Sequence, residues 1–267
     1  MVKIAVAGAR GRMGSRIAVL STEYREIRLA GAFERKGHPD AGRDLGELLG
    51  LGSLSVNLSD NIADALKDAD VLIDFTQPAS TLSNLKACVQ ADKSMVIGTT
   101  GFSGPEMEEI KKLAAGTRAV MAANMSLGIN LLLKVVREIA QALGGDYDVE
   151  IIEAHHRHKK DAPSGTALKL AQAAAEGLKR NLDDVAVYAR HGIIGERSAS
   201  EIGIQTVRAG DIVGEHTVLF GGLGERIEVT HKVSNRDTFA RGALRAALWL
   251  REQKPGLYDM QDVLGLK

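Results

Sequence analysis

The sequence has one cysteine, no excess of either charge and no long apolar run, and each absence excludes a class of protein. Cys88 alone cannot form an intramolecular disulfide or a multi-cysteine zinc or iron–sulfur site. The chain has 34 Lys plus Arg and 34 Asp plus Glu, so its formal net charge is zero. That balance argues against a general binder of nucleic acid or anionic membranes.

No apolar stretch approaches the roughly 18 residues of a membrane span. The N-terminus, MVKIAVAGARGRMG, is too briefly apolar for a signal peptide and lacks a cleavage pattern. We therefore expect a cytoplasmic protein without membrane or nucleic-acid partners. At roughly 150 residues per domain, 267 residues predict two domains or one large one.

Short apolar segments alternate with helical segments through the first 124 residues. The predicted strands cover 2–7, 27–33, 71–75, 95–97 and 119–122, and helices such as 80–90 and 106–115 lie between them. This alternation predicts right-handed crossovers and a parallel sheet. We expect a doubly wound α/β domain.

After residue 124 the pattern changes to that of an α+β domain with a mixed or antiparallel sheet. Helices are predicted at 126–142 and from Pro163-Ser164 onward, a strand at 149–154, and three antiparallel strands at 202–208, 213–220 and 226–232. The apolar sheet faces need cover from these helices or from another subunit. An Ala-rich helix at 237–251 is expected to return to the first domain.

A glycine-rich turn, Gly8-Ala9-Arg10-Gly11-Arg12-Met13-Gly14, lies between the first strand and the first helix. Glycines let the backbone approach a pyrophosphate, whose charge the helix N-terminus stabilises. Glu34 lies 20 positions after Gly14 and can accept hydrogen bonds from the ribose of NAD, while Arg35 could contact a 2′-phosphate. The pair predicts use of NADH and NADPH. A tight turn without ligand, and a solvated Arg35, remain the alternatives.

Three of the seven histidines lie in the basic run His155-His156-Arg157-His158-Lys159-Lys160, just before a helix that starts near Ser164. A cationic loop next to a helix N-terminus favours a small substrate with carboxylates. A histidine and a lysine can also deliver protons. A metal site at His156 and His158, or a merely solvated loop, is the alternative. The isolated His38, His191, His216 and His231 are expected to be structural or surface residues.

Several segments together resemble the dihydrodipicolinate reductase family. They are EIIEAHHRHKKDAPSGT, VAGARGRMG, IDFTQP, VIGTTGF, AANMS and TVRAGDIVGEHTV, and the likeness runs to the final LYDMQDVLGL. It implies a Rossmann dinucleotide-binding domain of residues 1–124 plus 237–267 and a substrate-binding and oligomerisation domain of residues 125–236, in a homotetramer. It further implies that NADH or NADPH reduces 4-hydroxy-tetrahydrodipicolinate or dihydrodipicolinate, a cyclic dicarboxylate, in lysine and diaminopimelate biosynthesis.

The resemblance also implies roles for individual residues, and it implies no metal. His155 and Lys159 match the family's catalytic proton donors, and His156, Gly165 and Thr166 match substrate-binding residues. The implied cofactor-binding residues are Gly8, Ala9, Arg10, Gly11, Arg12, Met13, Glu34, Arg35, Gly98, Thr99, Thr100, Ala122, Ala123, Asn124 and Met125. Arg10 stands where some members have glycine, and Met125 where an aromatic residue is common.

Two other functions are compatible with the glycine turn. A different amino-acid-pathway dehydrogenase, for example one acting on aspartate, would share that turn but would not need the paired HHRHK and SGT segments. A non-catalytic NADH-sensing regulator would usually need a DNA- or partner-binding module, and no basic helix-turn-helix region is apparent in the sequence.

Overall fold

The chain divides into two units in the computed structural model, which describes residues 1–267. Unit 1 consists of Met1–Leu127 together with Asp237–Lys267, and unit 2 consists of Gly128–Arg236. The chain therefore leaves unit 1 once, forms unit 2 and returns. None of the helices has both the length and the apolar character needed to cross a bilayer.

The strands are short and the helices vary from one turn to more than four turns. The strands are β1 (Val2–Ala7), β2 (Ile27–Phe33), β3 (Leu58–Ser59), β4 (Val71–Asp74), β5 (Ser94–Ile97), β6 (Arg118–Met121), β7 (Asp148–His155), β8 (Ala186–Val187), β9 (Ile202–Arg208), β10 (Gly214–Gly221), β11 (Arg226–Val233) and β12 (Gly256–Tyr258). The helices are α1 (Arg12–Ser21), α2 (Leu45–Leu48), α3 (Ile62–Leu66), α4 (Pro78–Gln90), α5 (Gly104–Ala114), α6 (Leu127–Leu143), α7 (Gly165–Gly177), α8 (Leu182–Val185), α9 (Asp237–Leu250) and α10 (Met260–Leu264).

Unit 1 is built on a seven-stranded sheet with the order β12-β6-β5-β4-β1-β2-β3, and every pair of neighbours is parallel. The chain order of the strands reverses between β1 and β4. In a doubly wound sheet, ligands bind outside the carboxyl ends of the strands at this reversal. The fold therefore places the binding region of unit 1 at the turns that follow β1 and β4.

Both faces of this sheet are buried, which explains its nearly continuous apolar strands. Ile4 and Val6 of β1 belong to a buried cluster that also contains residues of α1 and α9. Ala5 and Ala7 point the other way, into a cluster with residues of α4 and α5. The predicted doubly wound α/β fold is confirmed.

The C-terminal segment completes unit 1. Helix α9 packs beside α1, where Asp237 accepts two hydrogen bonds, of 2.8 and 2.7 Å, from the Arg16 guanidinium. Strand β12 adds a seventh strand by pairing with β6. Leu244 and Leu250 of α9 are fully buried, so this segment is part of the core of unit 1.

Unit 2 contains a five-stranded mixed sheet with the order β11-β10-β7-β9-β8. Strand β10 runs antiparallel to β7 and β11, whereas β9 runs parallel to both β7 and β8. The strand predicted at 202–208 therefore runs opposite to β10 as expected, but it pairs in parallel with β7 and β8 and not with β10. The chain passes through α7 and α8 between β7 and β9, and such a helical crossover returns the next strand parallel to the first.

One face of the unit 2 sheet is covered and the other is not. Val149 and Ile151 of β7 and Phe220 of β10 are buried against apolar residues of α6 and α7. On the opposite face, Ile152 is 39% exposed and Val207 is 44% exposed. Helices α6 and α7 thus cover one face of the sheet, and the other face is left uncovered by the chain.

Candidate active site

The glycine turn after β1 has a conformation that only glycine adopts easily. Gly8 has φ +61°, and its N–H donates to the Phe33 carbonyl at 2.9 Å. A Cβ atom on Gly14 would lie only 2.1 Å from the Gly8 carbonyl oxygen. Gly8 therefore permits the turn, and Gly14 permits the close approach of α1 to it.

A cavity of about 740 Å³ opens beside this turn within unit 1. Its wall includes Gly8 and Gly11 of the turn, Glu34 and Arg35 after β2, and Thr76 after β4. The cavity thus lies at the carboxyl ends of β1, β2 and β4, where the strand order reverses. Its size and place suit a dinucleotide, with the turn facing a pyrophosphate.

A hydrogen bond joins Glu34, which follows β2, to the glycine turn that contains Arg10. The Glu34 carboxylate accepts a hydrogen bond of 2.9 Å from the Arg10 backbone N–H. The Arg10 guanidinium instead donates to Asp40 at 3.0 Å and to the Leu48 carbonyl at 2.9 Å. The Asp40 carboxylate thus partly balances the Arg10 charge, whereas the Arg35 side chain is exposed at the cavity wall.

The loop after β4 is held by a buried carboxylate that the sequence reasoning did not single out. Asp74 is fully buried and accepts hydrogen bonds from the Thr76 N–H (2.7 Å), the Thr76 hydroxyl (2.6 Å) and the Asn84 amide (2.8 Å). Thr81 donates to the Thr99 hydroxyl at 2.8 Å beside this group. Asp74 therefore fixes one wall of the cavity. Its place at the end of a strand next to the reversal was the available signal.

The two loops predicted to line the nicotinamide end follow β5 and β6, at the same edge of the sheet. Gly98 lies under the Phe75 ring, since a Cβ atom on it would approach that ring to 2.1 Å. Thr99 is buried, whereas Thr100 and Ala123 are exposed.

Several other predicted cofactor residues have different surroundings. The Asn124 side chain accepts a hydrogen bond from the Ser126 N–H at 2.9 Å, and the Met125 side chain is buried in the core of unit 1. Ala122 is half-buried. In the glycine turn, Ala9 is buried and Arg12 is exposed. Ala9 is 0% exposed and Met125 is 1% exposed, so both lie beneath the surface that a ligand would contact.

In unit 2, the end of β7 holds a buried glutamate beside a histidine. Glu153 is fully buried, and its Oε2 lies 2.5 Å from His155 Nδ1. The Arg208 guanidinium donates to both Glu153 oxygens, at 2.9 and 2.8 Å. Burial acts to raise the pKa of Glu153, but the hydrogen bonds from Arg208 and His155 outweigh it and hold that pKa below its usual value.

The basic loop that follows β7 is only partly solvated. His155 is buried, and burial lowers its pKa, although the hydrogen bond and charge of Glu153 act in the opposite direction. His156 and Lys159 are half-buried, whereas Arg157 and His158 are exposed. The reading of the whole run as a solvated loop is therefore wrong for its first residue.

Lys159 and the first turn of α7 lie on either side of Asp161. Lys159 Nζ is 2.9 Å from the Asp161 carboxylate, and this hydrogen bond lowers the pKa of Asp161. Ser164 caps α7 by accepting the Ala167 N–H at 3.1 Å. Gly165, at the first position of the helix, is exposed. Thr166 follows and is half-buried. The first turn of α7 thus presents partial positive charge next to the basic loop.

His216 was expected to be an isolated structural or surface residue, and the structure places it beside His155. Its ring meets the His155 ring edge-on at a centroid distance of 5.2 Å. Its Nε2 lies 3.0 Å from the Ser164 hydroxyl, and its Nδ1 is buried without a hydrogen-bond partner. Burial, together with His155, lowers the pKa of His216 to about 4. The sequence gives no local signal for this contact, because 52 residues separate Ser164 from His216.

No group of three or more His, Cys, Asp or Glu side chains in the chain is arranged to hold a metal ion. The rings of His156 and His158 lie 6.3 Å apart, centroid to centroid, and tilted.

Comparison with known proteins agrees with this architecture. The family profile described as "Dihydrodipicolinate reductase, N-terminus" matches residues 2–125, and the profile for the C-terminus of the same family matches residues 128–264. The chain belongs to the dihydrodipicolinate reductase family. The predicted family resemblance is confirmed, and the chain is an oxidoreductase of a family that uses pyridine nucleotides in lysine and diaminopimelate biosynthesis.

Relatives in this family match along their whole length. The proteins named 4-hydroxy-tetrahydrodipicolinate reductase from Syntrophobacter fumaroxidans and Geotalea daltonii are 56% and 55% identical to the chain, over 100% of each sequence. A solved structure described as a dipicolinate-bound dihydrodipicolinate reductase from Paenisporosarcina sp. TG-14 has a TM-score of 0.76 at 27% identity and covers 98% of both chains. The amine dehydrogenase from Mycobacterium smegmatis shares only the fold, at 16% identity and a TM-score of 0.60.

Proposed function

We propose that the chain reduces 4-hydroxy-tetrahydrodipicolinate, or the dihydrodipicolinate formed from it by loss of water, to tetrahydrodipicolinate with either NADH or NADPH. The observation that carries this proposal is the buried Glu153–His155 pair at the start of a basic loop, next to the first turn of α7. The bound dipicolinate named for the Paenisporosarcina relative, a planar cyclic dicarboxylate, supports the substrate class.

The residues around the unit 1 cavity fit a dinucleotide. The turn from Gly8 to Met13 would hold the pyrophosphate at the N-terminus of α1, and Glu34 would accept hydrogen bonds from the ribose. Arg35 would contact the 2′-phosphate of NADPH, and its exposed, unpaired guanidinium supports use of both cofactors. When bound, the nicotinamide supplies a hydride. The residues from Gly98 to Thr100 and from Ala122 to Asn124 would line that end of the site, with Met125 buried beneath them.

The residues of unit 2 would bind the dicarboxylate and supply protons. The first-turn amides of Gly165 and Thr166 and the half-buried His156 suit a carboxylate group. Lys159 would exchange its contact with Asp161 for a contact with the substrate and act as the second proton donor. His155 would supply the proton that accompanies the hydride.

The two units would therefore have different binding roles. Residues 1–124 with 237–267 would bind the dinucleotide, and residues 125–236 would bind the substrate and form a homotetramer through the uncovered sheet face. Because the reaction consumes a reduced nicotinamide nucleotide, we place it in the cytoplasm, where such cofactors are available.

The test is an assay in which a synthase makes the substrate from pyruvate and aspartate semialdehyde, with NADH and NADPH supplied in parallel. We expect synthase-dependent oxidation of both cofactors. His155→Gln should lower kcat by about 10²-fold, the usual effect of losing a general acid, while cofactor affinity stays unchanged. No oxidation of either bound cofactor by the wild-type protein would reject the reductase and favour a related dehydrogenase.

A further inference from the structure

The carboxylate of Glu153 is hydrogen-bonded at both of its oxygens. Oε1 accepts from Arg208 Nη2 at 2.8 Å, the Ser164 N–H at 3.1 Å and the Thr206 hydroxyl at 3.3 Å. Oε2 accepts from Arg208 Nη1 at 2.9 Å and lies 2.5 Å from His155 Nδ1. With donors at both oxygens, a fully buried carboxylate is ionised and can only accept hydrogen bonds.

It follows that the proton between Glu153 and His155 resides on Nδ1 of the histidine. The Nδ1–H group donates to Oε2, because a proton on the carboxylate would conflict with the Arg208 donors. The other ring nitrogen, Nε2, is then the atom that gains and loses a proton when the ring titrates. In the neutral ring Nε2 has a lone pair, and in the imidazolium it is an N–H donor.

The surroundings of Nε2 are open on the side of β10 because residue 214 is glycine. Gly214 precedes Glu215, which pairs with Ala154 of β7, and a Cβ atom on Gly214 would lie 3.1 Å from His155 Nε2 and 3.5 Å from Cδ2. Any larger side chain would cover the ring edge that must meet a substrate.

The other groups around His155 are accounted for on each neighbouring element. Strand β9 contributes Arg208, and β10 contributes His216, which in turn pairs in register with His231 of β11. The loop after β7 contributes Lys159, whose positive charge opposes protonation of His155 together with Arg208. Glu153 is the one anion that directly contacts the His155 ring.

We propose that Glu153, held by Arg208, is a positioning residue of the reaction: it fixes the Nδ1–H tautomer of His155 and directs Nε2, past Gly214, to the substrate. This inference rests on the proposed function, in which His155 is the proton donor. In the step, the Nε2–H bond breaks, its electron pair stays on Nε2, and the proton forms the new bond on a substrate that also receives a hydride from the reduced nicotinamide. Glu153 remains a carboxylate and takes no proton.

Arg208 has a second contact that links this pair to the basic loop. Its Nη2 donates to the Asp161 carbonyl at 2.7 Å as well as to Glu153. The guanidinium therefore balances the Glu153 charge and anchors the loop that bears Lys159. Loss of the Glu153 charge leaves Arg208 as an unbalanced cation beside His155, and this positive charge lowers the pKa of His155 further.

The test is Glu153→Gln in the full-length protein, followed by nitrogen NMR of the histidine rings, with His155→Gln used to assign the resonance. We expect the wild-type ring to be the Nδ1–H tautomer. In Glu153→Gln the His155 titration should move down by about 1–3 pH units, the usual effect of removing an adjacent opposite charge. The alkaline limb of kcat should move to lower pH with it, because a general acid must be protonated, and kcat should fall about 10²-fold.

Glu150→Gln is the matched control. Glu150 lies on the same strand and accepts hydrogen bonds from Arg190 and Arg197, but it projects from the opposite face of the sheet. Its loss should leave the His155 titration and tautomer unchanged. An unchanged His155 titration in Glu153→Gln, or equal shifts in both variants, would overturn the inference.

A second variant, Gly214→Ala, tests the role of His155 Nε2 if Glu153→Gln does not fold. Gly214→Ala should keep the Nδ1–H tautomer but lower kcat at least tenfold, because the added methyl group covers Nε2. Wild-type kcat in this variant would reject the role of Nε2. The NMR comparison needs neither substrate nor cofactor, so failure of the proposed reaction would remain distinguishable from failure of this inference.

Discussion

At the scale of single residues, the chain places buried charges and histidines where distant segments meet. Glu153 and His155 are two residues apart on a strand, so strand alternation alone puts them on one face. Arg208 lies 55 residues beyond Glu153. The sequence could therefore predict the histidine and its loop but not the arginine or His216, because those contacts depend on sheet register. The assigned roles of the site residues stay predictions until they are tested.

His216 should make the stability of unit 2 depend on pH. The folded ring stays neutral down to about pH 4, whereas the unfolded ring binds a proton below about 6.5. The free energy of unfolding should therefore fall as pH drops from about 6.5 to about 4, by up to about 3 kcal/mol, with no contribution above that window. Hydrogen exchange of β10 amides measures this decline. It should be shallower in His216→Gln, and equal slopes would contradict the assignment.

Loss of the Arg35 side chain should weaken the binding of NADPH but not that of NADH. Removing one charge-assisted contact to the 2′-phosphate costs about 1.5–3 kcal/mol, so Arg35→Ala should weaken NADPH binding about 10- to 100-fold and leave NADH binding nearly unchanged. Titration calorimetry with each cofactor measures this difference. Arg28→Ala is the control, because Arg28 is an exposed arginine within the same strand, β2, whereas Arg35 follows its carboxyl end. Equal NADPH affinity in Arg35→Ala and wild type would favour a solvated Arg35.

At the scale of elements, the strands with continuous apolar sequence were predictable and the short elements were not. The predicted strand 202–208 has the observed bounds, and 71–75 is one residue too long. The strands of two or three residues, β3, β8 and β12, contain too few residues to show a period, so sequence reasoning missed them. The parallel pairing of β9 with β7 depends on the crossover through α7, which side-chain alternation does not encode.

The packing of α1 against the glycine turn gives a prediction at this scale. Gly14→Ala would place a Cβ atom 2.1 Å from the Gly8 oxygen, so α1 must shift away from the turn. We expect a loss of about 1–3 kcal/mol in stability and weaker dinucleotide binding. Urea unfolding followed by the fluorescence of Trp249, together with cofactor titration, measures both. Gly104→Ala, where a Cβ atom meets nothing within 4 Å, should match wild type. Similar losses in both variants would argue against the proposed close packing.

At the scale of the whole molecule, the uncovered face of the unit 2 sheet predicts self-association. Ile152 and Val207 are exposed in the centre of that sheet, and a homotetramer would bury them. Ile152→Arg should therefore lower the mass of the assembly, which analytical ultracentrifugation measures against four copies of 28.5 kDa. Leu51→Arg, at a similarly exposed leucine of unit 1, is the control. A wild-type monomer, or an unchanged mass in Ile152→Arg, would contradict the proposed interface.

The return of the chain to unit 1 has a consequence for synthesis on the ribosome. The first 127 residues emerge without α9 and β12, so the sheet of unit 1 has an open edge and an uncovered apolar surface until the last segment is made. Unit 2, continuous in sequence from Gly128 to Arg236, has all its strands earlier. Nascent chains should therefore protect unit 2 from protease before unit 1. A premature stop codon after residue 236 would leave unit 2 intact and the first-made part of the protein unfinished.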